Sequence, residues 1–259
     1  MKTTPTDPIE NPKTSAVLGV KVHHTSYEEA IRQIIRWAQA GESRSVYAAN
    51  VHMVMEARDD PEFMDIVNSA DLVTPDGMPL VWALRRMGDK TQERVYGPTL
   101  TGKLLPLMEQ EGIPIGFLGS TPRVIEKLRT DISGEFPSLN IAYAFSPPFH
   151  DLDEEENREI IEGVNRSGAK VLFVGMGCPK QEKWIDQSKA EINAVMVGVG
   201  AAFDYLAGTK PQAPLWVQKI GMEWFFRLLT EPTRLWRRYF RHNPRFLWAI
   251  TQQLWQNKR

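Results

Sequence analysis

The strongest constraint in this chain of 259 residues is a repeated alternation. Short apolar, β-favouring runs are separated by longer stretches with helical spacing. The runs are 45–51 (SVYAANV), 71–74 (DLVT), 113–118 (IPIGFL), 140–145 (NIAYAF), 170–175 (KVLFVG) and 194–199 (AVMVGV). Several are apolar almost without interruption, which suits strands covered on both faces. Helices are predicted over 26–40, 61–69, 79–88, 99–111, 122–134, 153–167 and 179–191. Thr25 with Glu28 makes a capping-box pattern ahead of the first. Pro122 and Pro179 stand where a first-turn proline is tolerated. Strands alternating with helices require crossover connections, hence a mainly parallel sheet with helices on both faces, an α/β fold.

Composition separates the end of the chain from the rest. From Lys219 to Arg259 there are nine basic and two acidic residues, a net +7, which leaves −8 on the remainder of a chain whose total is −1. Five of the eight tryptophans (216, 224, 236, 248 and 255) lie beyond residue 215. The division expected is a flexible N-terminus (1–16), an α/β catalytic core (17–214) and a basic, aromatic helical appendage (215–259) facing an anionic partner. Residues 230–240 (TEPTRLWRRYF) predict a helix opening at Pro232. At about 100° per residue, Arg234, Arg237, Arg238 and Arg241 fall on one side, with Leu235, Trp236, Tyr239 and Phe240 opposite. A further helix is expected after Asn243-Pro244. Such helices lie at a bilayer interface, or else pack their apolar face on the core; the sequence leaves both open. No apolar stretch approaches the ~18 residues of a spanning helix, and the polar start MKTTPTDPIENPKTS has no signal-peptide core. The single cysteine, Cys178, rules out an internal disulfide framework and is compatible with a reducing cytoplasm.

In open α/β sheets, ligands collect where the strands end. The exits here are AANVH, TPDGMP, FLGSTP, VGMGCPKQE and GVGAAFD, rich in small residues and mostly leading into helices, whose unpaired N–H groups suit phosphate. Gly119 allows close backbone approach, and Ser120 and Thr121 either cap the next helix or donate to a phosphate. Gly175, Gly177, Pro179, Lys180 and Gln181 form a second exit. It is not a dinucleotide fingerprint, because Lys180 stands where the third glycine belongs, nor a P-loop. Gly200 and Asp204 mark a third. Asp76, between Pro75 and Gly77, is the best general-base candidate, a carboxylate on a stiff corner; a turn or N-cap role is the alternative. The five histidines (23, 24, 52, 150 and 242) show no metal-ligand spacing and there is no CxxC. Asp151 and Asp153 open an acid-rich first helical turn, which explains them without a cation.

Together these segments resemble the WecG/TagA/CpsF family of glycosyltransferases, family 26. The likeness runs from about residue 17 to 245 through TPDGMPLVWALRRMG, ERVYGPTL, GFLGSTP, VGMGCPKQEKWI, GVGAAFDYLAG and GMEWFFRLLTEPTRLWRRY. Each piece is weak alone; the ordered set is specific. The resemblance implies a Rossmann-like core with a C-terminal membrane-targeting appendage. It also implies inverting, metal-independent transfer of a sugar from a UDP-sugar to a polyprenyl-diphosphate-linked saccharide at the cytoplasmic membrane face. Asp76 would then be the general base. Arg94 and Gln181 would contact the donor or acceptor diphosphate, and Asn50 and Asp204 would line the donor pocket. Arg227, Arg234, Arg237, Arg238 and Arg241 would meet the membrane or the acceptor diphosphate. Ala48 departs from the pattern, since the family often carries threonine two residues before this asparagine.

No cofactor is expected beyond the donor itself. The sugar is left as N-acetylmannosamine, its uronic acid or glucose, and a homo-oligomer is left open. Two other readings compete: a UDP-binding protein without transferase activity, and a nucleic-acid-binding module using the Arg/Trp tail. The acidic core and the lack of a nucleic-acid motif disfavour the second.

Overall fold

In a computed structural model, residues 13–256 are described. Residues 1–12, the larger part of the stretch expected to be flexible, and Lys258 and Arg259 of the basic tail lie outside the described residues. All six predicted strand regions form one parallel sheet: β3 (Arg44–Ala49), β4 (Leu72–Pro75), β5 (Ile115–Gly119), β6 (Ile141–Phe145), β7 (Val171–Gly175) and β8 (Val195–Gly198). Their spatial order is β4-β3-β8-β7-β5-β6. Because every pair is parallel, the exits of all six strands open along one edge of the sheet.

Alternation along the strands divides the core into two layers. Tyr47 and Ala49, Leu172 and Val174, and Met196 face one layer. Val46, Val171 and Phe173, and Val195 and Val197 face the other. The second layer is closed by α1 (Tyr27–Ala40), α5 (Gly97–Glu111), α6 (Pro122–Glu135) and α9 (Ala202–Leu206). The first is closed by α2 (Val51–Asp59), α3 (Pro61–Asn68), α4 (Met78–Arg86), α7 (Glu154–Ser167) and α8 (Lys180–Ser188). Helices on both faces explain why the strand sequences are apolar throughout.

Three local features depart from expectation. The run 45–51 ends as a strand at Ala49, because Asn50 caps α2 by accepting from the main-chain N–H of His52 (3.0 Å) and Met53 (3.3 Å). The capping box of α1 is Ser26 with Glu29, one residue on from Thr25 and Glu28; both of its reciprocal bonds form. A short antiparallel hairpin, β1 (Thr14–Val17) and β2 (Val20–His23), was not expected. Its two-residue turn, Leu18-Gly19, has both φ angles positive, and leucine gives no sequence signal of that geometry.

The tail holds the largest correction. After α10 (Leu215–Lys219) and α11 (Glu223–Thr230), one continuous helix, α12, runs Pro232–Gln256 straight through Asn243-Pro244. An interior proline costs roughly 3 kcal/mol, and packing offsets it. Leu235, His242, Phe246, Ala249 and Ile250 form a buried stripe, and Phe246 and Ile250 join the core layer under α2 and α4. Gln253 ties the far end to the hairpin, donating to the Ala16 carbonyl (2.6 Å) and accepting from Leu18 N–H (2.9 Å). The basic and aromatic sides stay opposite one another on the helix, but the strip that meets the core falls at their border. Leu235 goes inward while Trp236 and Phe240 stay exposed, since the core contact follows the 235/242/246/250 stripe.

If α12 belongs to the core, Phe246→Ala should cost about 3–5 kcal/mol. Trp248→Ala, at a side chain 64% exposed, should stay within about 0.5 kcal/mol. Urea unfolding midpoints of the two variants check this.

Candidate active site

The Asp76 corner is built by main-chain bonds. Asp76 and Gly77 both donate their N–H to the Ala49 carbonyl, at 2.9 and 3.1 Å, which folds the exit of β4 onto that of β3. A Cβ on Gly77 would lie 3.2 Å from the Asn50 Cα, so the close crossing favours glycine. Gly77 is the N-cap of α4 and no side chain caps that helix. Asp76 is therefore not spent on capping α4. Its carboxylate instead accepts from Gly97 N–H at 3.0 Å, at the start of α5.

Arg94 organises the surroundings. Its Nε donates to the Asp76 main-chain carbonyl, and its guanidinium lies 4.0 Å over the Tyr96 ring. Its Nη2 is 2.7 Å from Glu223 Oε2 and 3.6 Å from Asp76 Oδ1. Asp76 is 14% exposed. Burial pushes its carboxyl up to about 6; Arg94 opposes that shift, the nearby Glu223 charge adds to it, and Gly97 N–H opposes it. The result is a carboxylate more basic than ordinary and still ionised at neutral pH.

A cavity of about 550 Å³ opens over this corner. Asn50, Asp76, Gly77 and Arg94 line its floor, and Glu223, Trp224, Arg227, Arg238 and Tyr239 from the C-terminal helices line its other side. The buried Nε atoms of Arg227 and Arg238 have no hydrogen-bond partner among the described residues. The other tail arginines lie outside this cavity. Arg234 pairs with Glu231 (2.7 Å), Arg237 stacks on Trp236, and Arg241 (3.3 Å) and Arg245 (2.6 Å) pair with Asp59.

The glycine-rich exits form a second cluster on the same sheet edge. Gly119, at φ +129°, presses so close to β7 that a Cβ would sit 2.5 Å from the Gly175 carbonyl carbon. A Cβ on Gly175 would in turn strike the Phe203 ring at 2.7 Å. Ser120 donates its N–H to the Gly175 carbonyl (3.1 Å), and Thr121 caps α6 by accepting from Val124 N–H (3.2 Å). Gln181 is 4% exposed and fully engaged. Its Oε1 accepts from Gly177 N–H (3.2 Å) and Gly200 N–H (3.1 Å), and its Nε2 donates to Glu182 (2.6 Å). Gln181 thus stitches two glycine loops together and does not line the Asp76 cavity. Pro179 is the N-cap of α8, Lys180 donates to the His150 carbonyl (2.7 Å), and Asp204 pairs with Lys210 (3.3 Å). Asp153 is the N-cap of α7 in a full capping box with Glu156, as its acid-rich turn suggested.

Two groupings escaped the sequence. Glu223 had one signal, as one of only two acids in the basic tail. His52, Glu56 and His242 bring ligand-type atoms within 4.8 Å of one another across α2 and α12, a proximity that no sequence spacing encodes. Burial, the Arg238 charge and His242 push His52 down to about 3, while Arg241 and Arg245 face His242. With guanidinium groups on both sides, the cluster suits an interhelical clasp, with Glu56 3.1 Å from His242, better than a cation.

Residues 15–259 match the glycosyl transferase WecG/TagA/CpsF family. An N-acetylglucosaminyldiphosphoundecaprenol N-acetyl-beta-D-mannosaminyltransferase of Bacillus spizizenii is 30% identical over 206 residues, 79% of this chain and 77% of the relative. A protein of the same description from Staphylococcus aureus is 27% identical over 239 residues, 91% of each chain. With a match over nearly the whole length and the α/β architecture expected of it, the chain belongs to the WecG/TagA/CpsF family of glycosyl transferases.

Proposed function

We propose that this protein is an inverting hexosyltransferase. It moves an N-acetylmannosamine-type sugar from a UDP-sugar to a hydroxyl of a polyprenyl-diphosphate-linked saccharide, with Asp76 as general base. The observation that carries the reading is the Asp76 carboxylate, part-buried, raised to about 6 and facing a cavity of about 550 Å³. The relatives' descriptions support this sugar and a lipid-diphosphate acceptor over the glucose or uronic-acid alternatives.

In the proposed step the acceptor hydroxyl gives its proton to Asp76 as its oxygen bonds the anomeric carbon. The bond to the UDP oxygen breaks, and that electron pair leaves on the β-phosphate. Single displacement inverts the anomeric centre. The departing charge would be met, without a metal, by main-chain N–H groups at the glycine exits other than those of Ser120, Gly177 and Gly200, which are already bonded. With Thr121 committed to its helix, the Ser120 hydroxyl is the free donor there; it makes no hydrogen bond among the described residues. Arg227 and Arg238, with unpaired Nε atoms on the cavity wall, are the arginines suited to the acceptor diphosphate.

Glu223 supplies a second carboxylate near Asp76, which a retaining mechanism would need. That carboxylate is already engaged by Arg94 at 2.7 Å, which argues against its serving as acid or nucleophile. The further assignment is a peripheral one, at the cytoplasmic face of the membrane. No helix among the described residues is long and apolar enough to cross a bilayer. Trp216 (66% exposed), Phe240 (70%) and Trp248 (64%) present apolar rings beside tail arginines.

Asp76→Asn should leave UDP affinity by calorimetry unchanged and lower turnover by about 10²–10⁴-fold. Full turnover by that variant would remove the central assignment. Because the base must be ionised, wild-type kcat/KM should fall about tenfold per unit below pH 6. The same burial sets a stability sign. A carboxyl raised from 3.8 to about 6 on folding costs nothing below the lower value and most above the upper. Asp76→Asn should therefore stabilise the fold at pH 8 by up to about 3 kcal/mol, with the gain vanishing near pH 4; urea melts at both pH values measure it. Replacing Phe240 and Trp248 together by Ser should abolish co-sedimentation with anionic vesicles while the urea midpoint stays put. Undiminished sedimentation would place the membrane contact elsewhere.

A further inference from the structure

We propose that Glu223 is a positioning residue for the transfer reaction: from the C-terminal helices it holds the Arg94 guanidinium off the Asp76 carboxylate, leaving the base free to accept a proton. This rests on the reading of Asp76 as the base.

The geometry makes the case. Arg94 is fixed by its Nε on the Asp76 main-chain carbonyl and by the Tyr96 ring beneath it, so only its outer nitrogens choose between acceptors. Nη2 has two carboxylates in reach and takes Glu223, at 2.7 Å, over Asp76 Oδ1, at 3.6 Å. All three side chains are between 11% and 14% exposed, so water offers little competition. Removing the Glu223 charge leaves the guanidinium with one carboxylate, less than an ångström beyond hydrogen-bond distance. A small rotation would close that gap. An Asp76 locked in such a pair would be a weaker base, and the lone pair aimed at the acceptor hydroxyl would be occupied.

The charged and titratable groups around the pair come from four elements. Facing Asp76 are Arg94, Glu223, Arg227 and the Gly97 N–H, with Tyr27 of α1 behind. Facing Glu223 are Arg94, Tyr96, Arg227 and Tyr205 of α9. Among these only Glu223 adds negative charge beside Asp76 while also competing for Arg94. A carboxylate contributed by α11 therefore makes the basicity of Asp76 depend on the C-terminal helices.

The test separates positioning from simple anchoring. Glu223→Gln keeps an acceptor for Arg94 and drops the charge. It should move the acid limb of kcat/KM to lower pH by on the order of one unit and lower kcat at pH 8 by about tenfold, with UDP affinity unchanged. Titrating the Asp76 carboxyl carbon by 13C NMR should show its midpoint falling in parallel. If the variant fails to fold by near-ultraviolet circular dichroism, Glu223→Asp replaces it; a charge retracted by one methylene should give an intermediate midpoint. An unmoved Asp76 midpoint in whichever variant folds would overturn the proposal and leave Glu223 an anchor of α11. Asp76→Asn discriminates the underlying reading: if that variant turns over normally, Asp76 is not the base, and the NMR midpoints still report on Glu223 independently.

Discussion

One guanidinium holds the site together. Arg94 bonds the main-chain carbonyl of the β4 corner, lies against Tyr96 at the entrance to α5, and pairs with Glu223 of α11. Sheet, Asp76 corner and C-terminal helices are thus referred to one rigid planar fork. The arrangement is stable because each contact satisfies a group that burial would otherwise leave unpaired, and a buried guanidinium is tolerated only with such partners. Its consequence is chemical. The corner carboxylate lies near a positive charge that a second carboxylate has already claimed.

The proposed chemistry follows from where charges are allowed. Asp76 is raised by burial, only partly countered by Arg94 and by the Gly97 N–H at the start of α5. In the proposed reaction, donor-side binding falls to main chain. The contacts of Gly119 on Gly175 and of Gly175 on Phe203 leave no room for side chains at those exits. Gln181 keeps two of the glycine loops in register from behind. The acceptor side has the opposite character, with long cationic side chains from α11 and α12 on the cavity wall. In that proposal a diphosphate approaching from a lipid surface would meet arginine side chains, while the leaving nucleotide would meet main-chain dipoles.

Much of this was legible. The near-continuous apolar runs predicted the six strands, and the parallel order follows from the helices between them. The corner at Asp76 announced itself through Pro75 and Gly77, and the family through its ordered motifs. What escaped were contacts made across long sequence separation. Gln181 reads as a polar residue at a helix start facing a ligand, yet its amide is used by Gly177 and Gly200. The helical period of 232–256 was visible, but not which of its faces would find the core. Asn243-Pro244 reads as a break because local propensity knows nothing of the packing by Phe246 and Ile250 that offsets it.

The sequence alone determined the layered α/β sheet, the strand exits that share one edge of it and the residue types gathered there, because periodicity and turn chemistry are local properties. Only the tertiary structure decided which charges meet. It put Glu223 against Arg94 across 129 positions, drew Arg227 and Arg238 into the cavity, and bound Arg241 and Arg245 to Asp59 instead. Pairing energies depend on distances of a few ångströms between groups far apart in the chain, and those distances exist only once the layers have packed.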